Sequence, residues 1–190
     1  MTAQTSNSAG FTLIELIIVT ALVAIMAVTA IPGLINLLDG TQNRSEVNDL
    51  FSFLASARAE AVRSGSIHTL CPLDPATGSC SQNWNAPLQL FRDPFNERKL
   101  TENTHVVRLL PPPKRGRIQA ASLSRSYFQY RPDGQIFSDL GNITWCPDSG
   151  DARQAAHIII SRGGRIRLAE DRDDDGIVEK ANGQPVTCDL

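Results

Sequence analysis

The sequence predicts an α+β protein: one long N-terminal helix laid on an antiparallel β-sheet body. Three observations predict it. The run from Phe11 to Ile31 is apolar except for Glu15. A second stretch, after Gly40, places apolar residues at helical spacing. From Ile67 onwards the apolar period shortens and turn residues punctuate the chain, as in strands joined by hairpins. A helix followed by a block of strands is the order expected of an α+β domain. The 190 residues suffice for one membrane helix and one globular domain.

The apolar run would form a helix of about 31 Å at ~1.5 Å rise per residue, close to the ~30 Å hydrocarbon core of a bilayer. It reads as a membrane helix. Glu15, one turn inside it, does not fit a plain anchor, because a lone charge in hydrocarbon is costly. A carboxylate at that depth calls for a partner, and its position near the helix start suggests an amine.

The residues Gly10-Phe11-Thr12-Leu13-Ile14-Glu15-Leu16 resemble the class III signal of type IV pilins and type II secretion pseudopilins. The resemblance implies cleavage by a prepilin peptidase between Gly10 and Phe11, N-methylation of Phe11, and a role for Glu15 in assembly. There Glu15 would pair with the N-terminal amine of a neighbouring subunit. Such a pair fixes axial register, since any other stagger leaves a buried charge unmatched. It also implies an inner-membrane protein with a single pass and a periplasmic body, later part of a fibre or its tip, with major and minor pilins as partners. Met1 to Ala9 carries no Lys or Arg, so the usual charge cue for orientation is weak. The expected organisation is a leader at 1–10, a transmembrane part at 11–38, an amphipathic part of the same helix at 39–65, and a β-rich body at 66–190.

Pro32 and Gly33 should kink or locally melt the helix. Beyond Gly40, Val47, Leu50, Phe51, Leu54, Ala57, Ala61 and Val62 form an apolar stripe, with Arg44, Glu46, Asp49, Arg58, Glu60 and Arg63 on the remaining faces. Gly65 is placed to end the helix as its C′ residue.

The expected strands are Ile67–Cys71, Leu88–Arg92, Val106–Leu110, Tyr127–Arg131, Ile143–Cys146, His157–Arg162 and Arg165–Ala169. Asp133-Gly134 and Gly163-Gly164 are two-residue hairpin signals. Pro111, Pro112 and Pro113 stiffen a connection and cannot sit inside a sheet.

The four cysteines all follow the apolar run, and an even number there suits disulfides in an oxidising compartment. Of three possible pairings, Cys71–Cys80 closes a short loop and Cys146–Cys188 would staple the C-terminal tail; these are favoured. The spacing lacks a C-x-x-C knuckle, which argues against zinc.

Further along, Trp84, Leu88–Asp93, Phe128–Gly134 and Ile158–Arg167 are similar to the GspH/FimT/FimU group of minor pilins and pseudopilins. This narrows the expected architecture to the pilin fold, and the function to a minor pilin or a type II secretion pseudopilin. Gly164-Arg165-Ile166-Arg167 matches the G-R-x-R motif of FimT-like pilins implicated in DNA binding for natural transformation. Carried over, Arg165 and Arg167 would contact DNA. On a hairpin turning at Gly163-Gly164, Arg162 would face Arg165 and add a third guanidinium. Lys114, Arg115 and Arg117 could extend the patch. The alternative is that these arginines pair with the acidic run Glu170, Asp171, Asp173, Asp174 and Asp175. With a net charge of −2, no global basic field directs the protein to nucleic acid, so any such site is local.

Asp171, Asp173 and Asp175 with Gly176 resemble the start of a calcium loop, but the closing position, Asn182, is not a bidentate carboxylate. No metal and no cofactor is expected. His68, His105 and His157 are isolated, Ser161 lacks a G-x-S-x-G context, and no phosphate-cradling loop is present, so the sequence predicts no enzyme.

Overall fold

A computed structural model describes residues 12–101, 105–122, 125–138 and 141–188, with side chains at 29–37 left aside. The chain divides into two units, residues 1–41 and 42–190.

The first unit is helical. Helix α1, Leu13–Ser64, begins in it and continues into the second unit. The backbone stays helical through Pro32 instead of melting there. Proline withdraws only its own N–H from the ladder, and the flanking bonds hold the turn. Among the described residues no helix is long and apolar enough to cross a membrane; the expected span 11–31 has Phe11 and its last three side chains outside the described set.

In the second unit the remainder of α1 presents Val47, Leu50, Phe53, Leu54, Ala57 and Ala61 to the core. Five of these belong to the expected stripe. Phe53, fully buried, joins them at i+3 from Leu50, whereas Phe51 is only half-buried and Val62 is 53% exposed. The helix ends at Ser64, and Gly65, with φ +61°, is the left-handed residue that stops it.

Eight strands follow: β1 His68–Pro72, β2 Leu88–Arg92, β3 Val106–Leu110, β4 Gly116–Ala121, β5 Phe128–Tyr130, β6 Gly141–Pro147, β7 Ala156–Ile160 and β8 Ile166–Leu168. They form two four-stranded antiparallel sheets rather than one, ordered β3-β2-β1-β5 and β4-β6-β7-β8. One core joins both sheets to the helix through Leu70, Leu88, Leu90, Phe128, Tyr130, Ile143, Trp145, Ile158 and Ile160.

Strand β4 falls where a basic, proline-led loop was expected. The backbone of Lys114 and Arg115 is held by the Glu46 carboxylate, at 2.9 and 3.1 Å. Gly116 then lies flat against Trp145: a Cβ there would come within 2.6 Å of its ring. This close approach lets β4 pair with β6 along its whole length.

Both favoured disulfides are present, Cys71–Cys80 and Cys146–Cys188. The first ties down the loop over the outer face of the first sheet, where Cys71, Phe91 and Tyr127 form a small cluster. The second draws the C-terminal tail across the outer face of the second sheet, burying Val186 against Cys146 and Ala155.

Candidate nucleic-acid interface

The arginine hairpin joins β7 to β8 with Ile158 opposite Leu168, Ile159 opposite Arg167 and Ile160 opposite Ile166. Side chains alternate, so Ile158, Ile160 and Ile166 turn to the core while Arg165 and Arg167 share the outer face, both exposed. The turn is longer than the expected two residues. The Ser161 amide donates to the Arg165 carbonyl at 3.0 Å, and the Gly164 amide donates to the Ser161 carbonyl at 2.9 Å. Ser161, not Arg162, therefore faces Arg165, and Arg162 sits within the turn. The backbone explains the correction. A two-residue type I′ turn needs positive φ at both glycines, but only Gly164 has it, at +73°. That is the pattern of a three-residue loop closed by a left-handed glycine.

A second turn buttresses the first. At Asp133-Gly134 the amide of Arg131 donates to the Gln135 carbonyl and that of Gly134 to the Arg131 carbonyl, both at 2.9 Å. It too is a three-residue loop, with Gly134 at φ +77°. The two turns touch: a Cβ on Gly164 would lie 1.9 Å from the Gly134 carbonyl oxygen. The Ile136 amide donates to the Arg162 carbonyl at 3.2 Å. On its other side the Gly134 carbonyl accepts from Arg58 Nε of α1 at 3.0 Å. The hairpin tip is thus fixed to the helix through a neighbouring turn.

Electrostatics separate the arginines from the acidic run. Among the described residues the ion pair found within 4 Å is Arg63–Glu60; none involves Arg162, Arg165 or Arg167. The acidic loop is held by its own backbone instead. Asp171 accepts from the Gly176 amide at 2.8 Å, Asp175 from the Ile177 amide at 2.7 Å, and buried Glu179 from the Arg172 amide at 3.0 Å. The carboxylates of Asp171, Asp173, Asp175 and Glu179 lie within 4.8 Å of one another. Glu179, not Asn182, completes the group; Asn182 bonds Gln184.

Lys114, Arg115 and Arg117 do not extend the patch. They lie at or beside β4, the opposite edge of the sheet from β8, about 14 Å away across three strand spacings. Arg115 is turned towards Gln42 of the helix. His157, beneath the tail, is buried with its ring bonded to Thr144 at 2.8 Å. Burial holds its pKa below the usual histidine range, and nearby Lys180 and Arg167 add to the effect.

Comparison with known proteins now gives the family. The profile described as Type II transport protein GspH matches residues 46–164, more than half of the chain. The chain belongs to the GspH family. A second profile, the prokaryotic N-terminal methylation motif, matches residues 5–31, so this GspH-family chain is a minor type IV pilin or pseudopilin by type. No curated protein matches it in sequence. Among solved structures it is similar to the type IV minor pilin FimU of Pseudomonas aeruginosa, with a TM-score of 0.54 and 17% identity over 76% of this chain and 98% of that one. A second crystal form of FimU gives 0.53 and 16%, over 78% and 96%. The minor pseudopilin EpsH from the type 2 secretion system of Vibrio cholerae gives 0.46 and 11%, over 67% and 95%. At these identities FimU supports the pilin fold alone.

The family match stops at Gly164, one residue before Arg165, and leaves Arg167 and the stapled tail outside it. At the other end the methylation motif spans Gly10, Phe11 and Glu15. Gly10 and Phe11 lie outside the described residues. Glu15 is exposed in the first turn of α1, where its amide donates to the Thr12 hydroxyl oxygen at 3.4 Å. The arrangement T-x-x-E is a pattern that starts a helix.

Proposed function

We propose that this GspH-family protein is a minor type IV pilin of FimT/FimU type, built into or priming a pilus, and that it binds DNA through Arg165 and Arg167, with Arg162 beside them. The observation that carries the DNA reading is a rigid hairpin tip presenting three exposed guanidiniums with no carboxylate partner among the described residues. Planar guanidinium forks meet two phosphate oxygens at once, and such contacts are independent of sequence and sensitive to salt. Mobility shifts of the full chain in detergent micelles, at two salt concentrations, test it. Replacing Arg165 and Arg167 together by Ala should weaken binding tenfold or more and lower the log–log salt slope by about 1.8 on duplex DNA, or about 1.4 on a single strand, for two phosphate contacts. Unchanged binding in the double variant refutes the site.

Assembly rests on the other end. In this reading a prepilin peptidase cuts between Gly10 and Phe11, Phe11 is methylated, and Glu15 pairs with the Phe11 amine of a neighbour among major and minor pilins. Before assembly the subunit spans the inner membrane once with its body in the periplasm. Glu15→Ala should reach the membrane yet stay out of fibres; normal incorporation would end the docking idea. The second reading, a minor pseudopilin of a type II secretion system, is favoured by the description of the matching family. Neighbouring genes decide between them: other minor pilin genes support the pilus, secretion genes the pseudopilus.

A further inference from the structure

We propose that Phe137 and Arg131 form a stacking platform for an unpaired base, so that the preferred ligand of the arginine hairpin is single-stranded nucleic acid. The proposal rests on the DNA reading above and adds to it the form of the strand. Phe137 is 45% exposed although its neighbours Ile136 and Ser138 are each only 7% exposed. It belongs to none of the three apolar clusters that hold the fold together. Its backbone is nevertheless fixed, the amide donating to the Gln129 carbonyl at 2.8 Å. The Arg131 guanidinium lies 5.4 Å from the Phe137 ring centroid, and Arg131 makes no ion pair among the described residues. An aromatic ring kept at the surface on a rigid backbone, with a guanidinium laid over it, is the arrangement on which a base stacks.

Location ties the platform to the phosphate-binding arginines. Residue 136 bonds the Arg162 carbonyl directly, and Gly134, in the turn that begins at Arg131, abuts Gly164. One strand can therefore lay its phosphates on Arg162, Arg165 and Arg167 and turn a base towards Phe137. A duplex cannot, because its base faces are covered by their neighbours in the stack. Only a single strand, or a frayed end, offers a free π-face.

The test compares fluorescence anisotropy of the full chain in micelles with a short oligo-dA single strand and with the oligo-dA·oligo-dT duplex of the same length. Phe137→Ala should weaken single-strand binding about tenfold, leave duplex binding within about twofold and leave the salt slope unchanged, since no phosphate contact is lost. Phe137→Trp should restore the single-strand affinity. Equal loss on both probes, or no loss on either, overturns the platform while leaving the phosphate site standing. A wild-type protein that binds neither probe removes the DNA reading itself, and an unchanged urea midpoint in Phe137→Ala excludes misfolding as the cause of a loss.

Discussion

A Cβ added to Gly164 would fall 1.9 Å from the carbonyl oxygen of Gly134. Two glycines thus weld two turns at one point, and the same carbonyl takes the Arg58 hydrogen bond. Gly164→Ala faces both this clash and a positive φ, which alone costs an alanine about 1–2 kcal/mol. The expected loss is about 2–4 kcal/mol in urea unfolding, together with weaker DNA binding although no arginine has changed. Gly163→Ala is the control. It has nothing within 4 Å of its would-be Cβ and should stay within about 0.5 kcal/mol of wild type. Equal effects of the two substitutions would contradict the weld.

Glu46 holds β4 to the helix. One carboxylate oxygen accepts the amides of Lys114 and Arg115, and the other accepts Trp145 Nε1 at 3.2 Å. Trp145 is 1% exposed, and the Glu46 carboxylate is the acceptor its N–H has. Glu46→Ala should cost about 2–3 kcal/mol, as for bonds to a charged group whose donors are left behind, and Glu46→Gln less. Tryptophan fluorescence and urea midpoints check this. A cost under about 0.5 kcal/mol in the alanine variant would show that the contact is incidental.

The disulfides should differ in weight. Cys146–Cys188 closes a separation of 42 residues and Cys71–Cys80 one of 9. Chain entropy makes the longer loop worth about 4 kcal/mol and the shorter about 2.6. Replacing both cysteines of each pair by Ala, and measuring urea midpoints under oxidising conditions, should reproduce that order. Loss of the longer bridge should also expose the β6–β7 face to hydrogen exchange, because the tail that covers it is freed. The reverse order would mean that native packing, not the constraint on the unfolded chain, dominates.

How much of this could be read in the sequence depends on the range of the interaction. Strands β2 and β3 were legible to the residue, because turn residues bracket each. So was the left-handed Gly65. Strand β4 was not: Lys114-Arg115-Gly116-Arg117 after three prolines has loop composition, and what makes it a strand is Trp145 and Glu46, both distant in sequence. Phe53 and Phe51 both lie near the helical stripe, and only the packed core decides between them. At the candidate site the motif named Arg165 and Arg167, but alternation across an assumed two-residue turn misplaced Arg162. The Arg58–Gly134 bond spans 76 residues and leaves no local mark. Phe137 carried a weak signal, an aromatic three residues beyond a turn glycine, which acquires meaning only once Arg131 is seen over its ring.

Stability should fall as pH drops below neutrality, before the carboxylates titrate. His68 and His157 are both buried, each 1% exposed, and burial holds both pKa values below the ordinary range. At His68 the Ser66 carbonyl, 3.1 Å from Nδ1, and Glu60 oppose the shift, while Arg92 and Arg63 add to it; His157 faces the cations Lys180 and Arg167. At pH 7.5 both rings are neutral in either state. Below about 6.5 the unfolded chain takes up a proton at each ring while the folded chain resists. The unfolded state then binds more protons, so unfolding free energy decreases as pH falls through this window. The acids Glu60 and Asp74, whose pKa values are lowered by Arg63 and by the Thr77 and Ala76 amides respectively, act only at lower pH, where their protonation removes further stability. Urea midpoints at pH 7.5, 6.5 and 5.5 should therefore decline before the acid limb begins, and His157→Gln should make the decline shallower by removing one of the two rings. A flat profile across that range in the wild type would mean that the folded protein accommodates both charged imidazoles, and would remove burial as the cause.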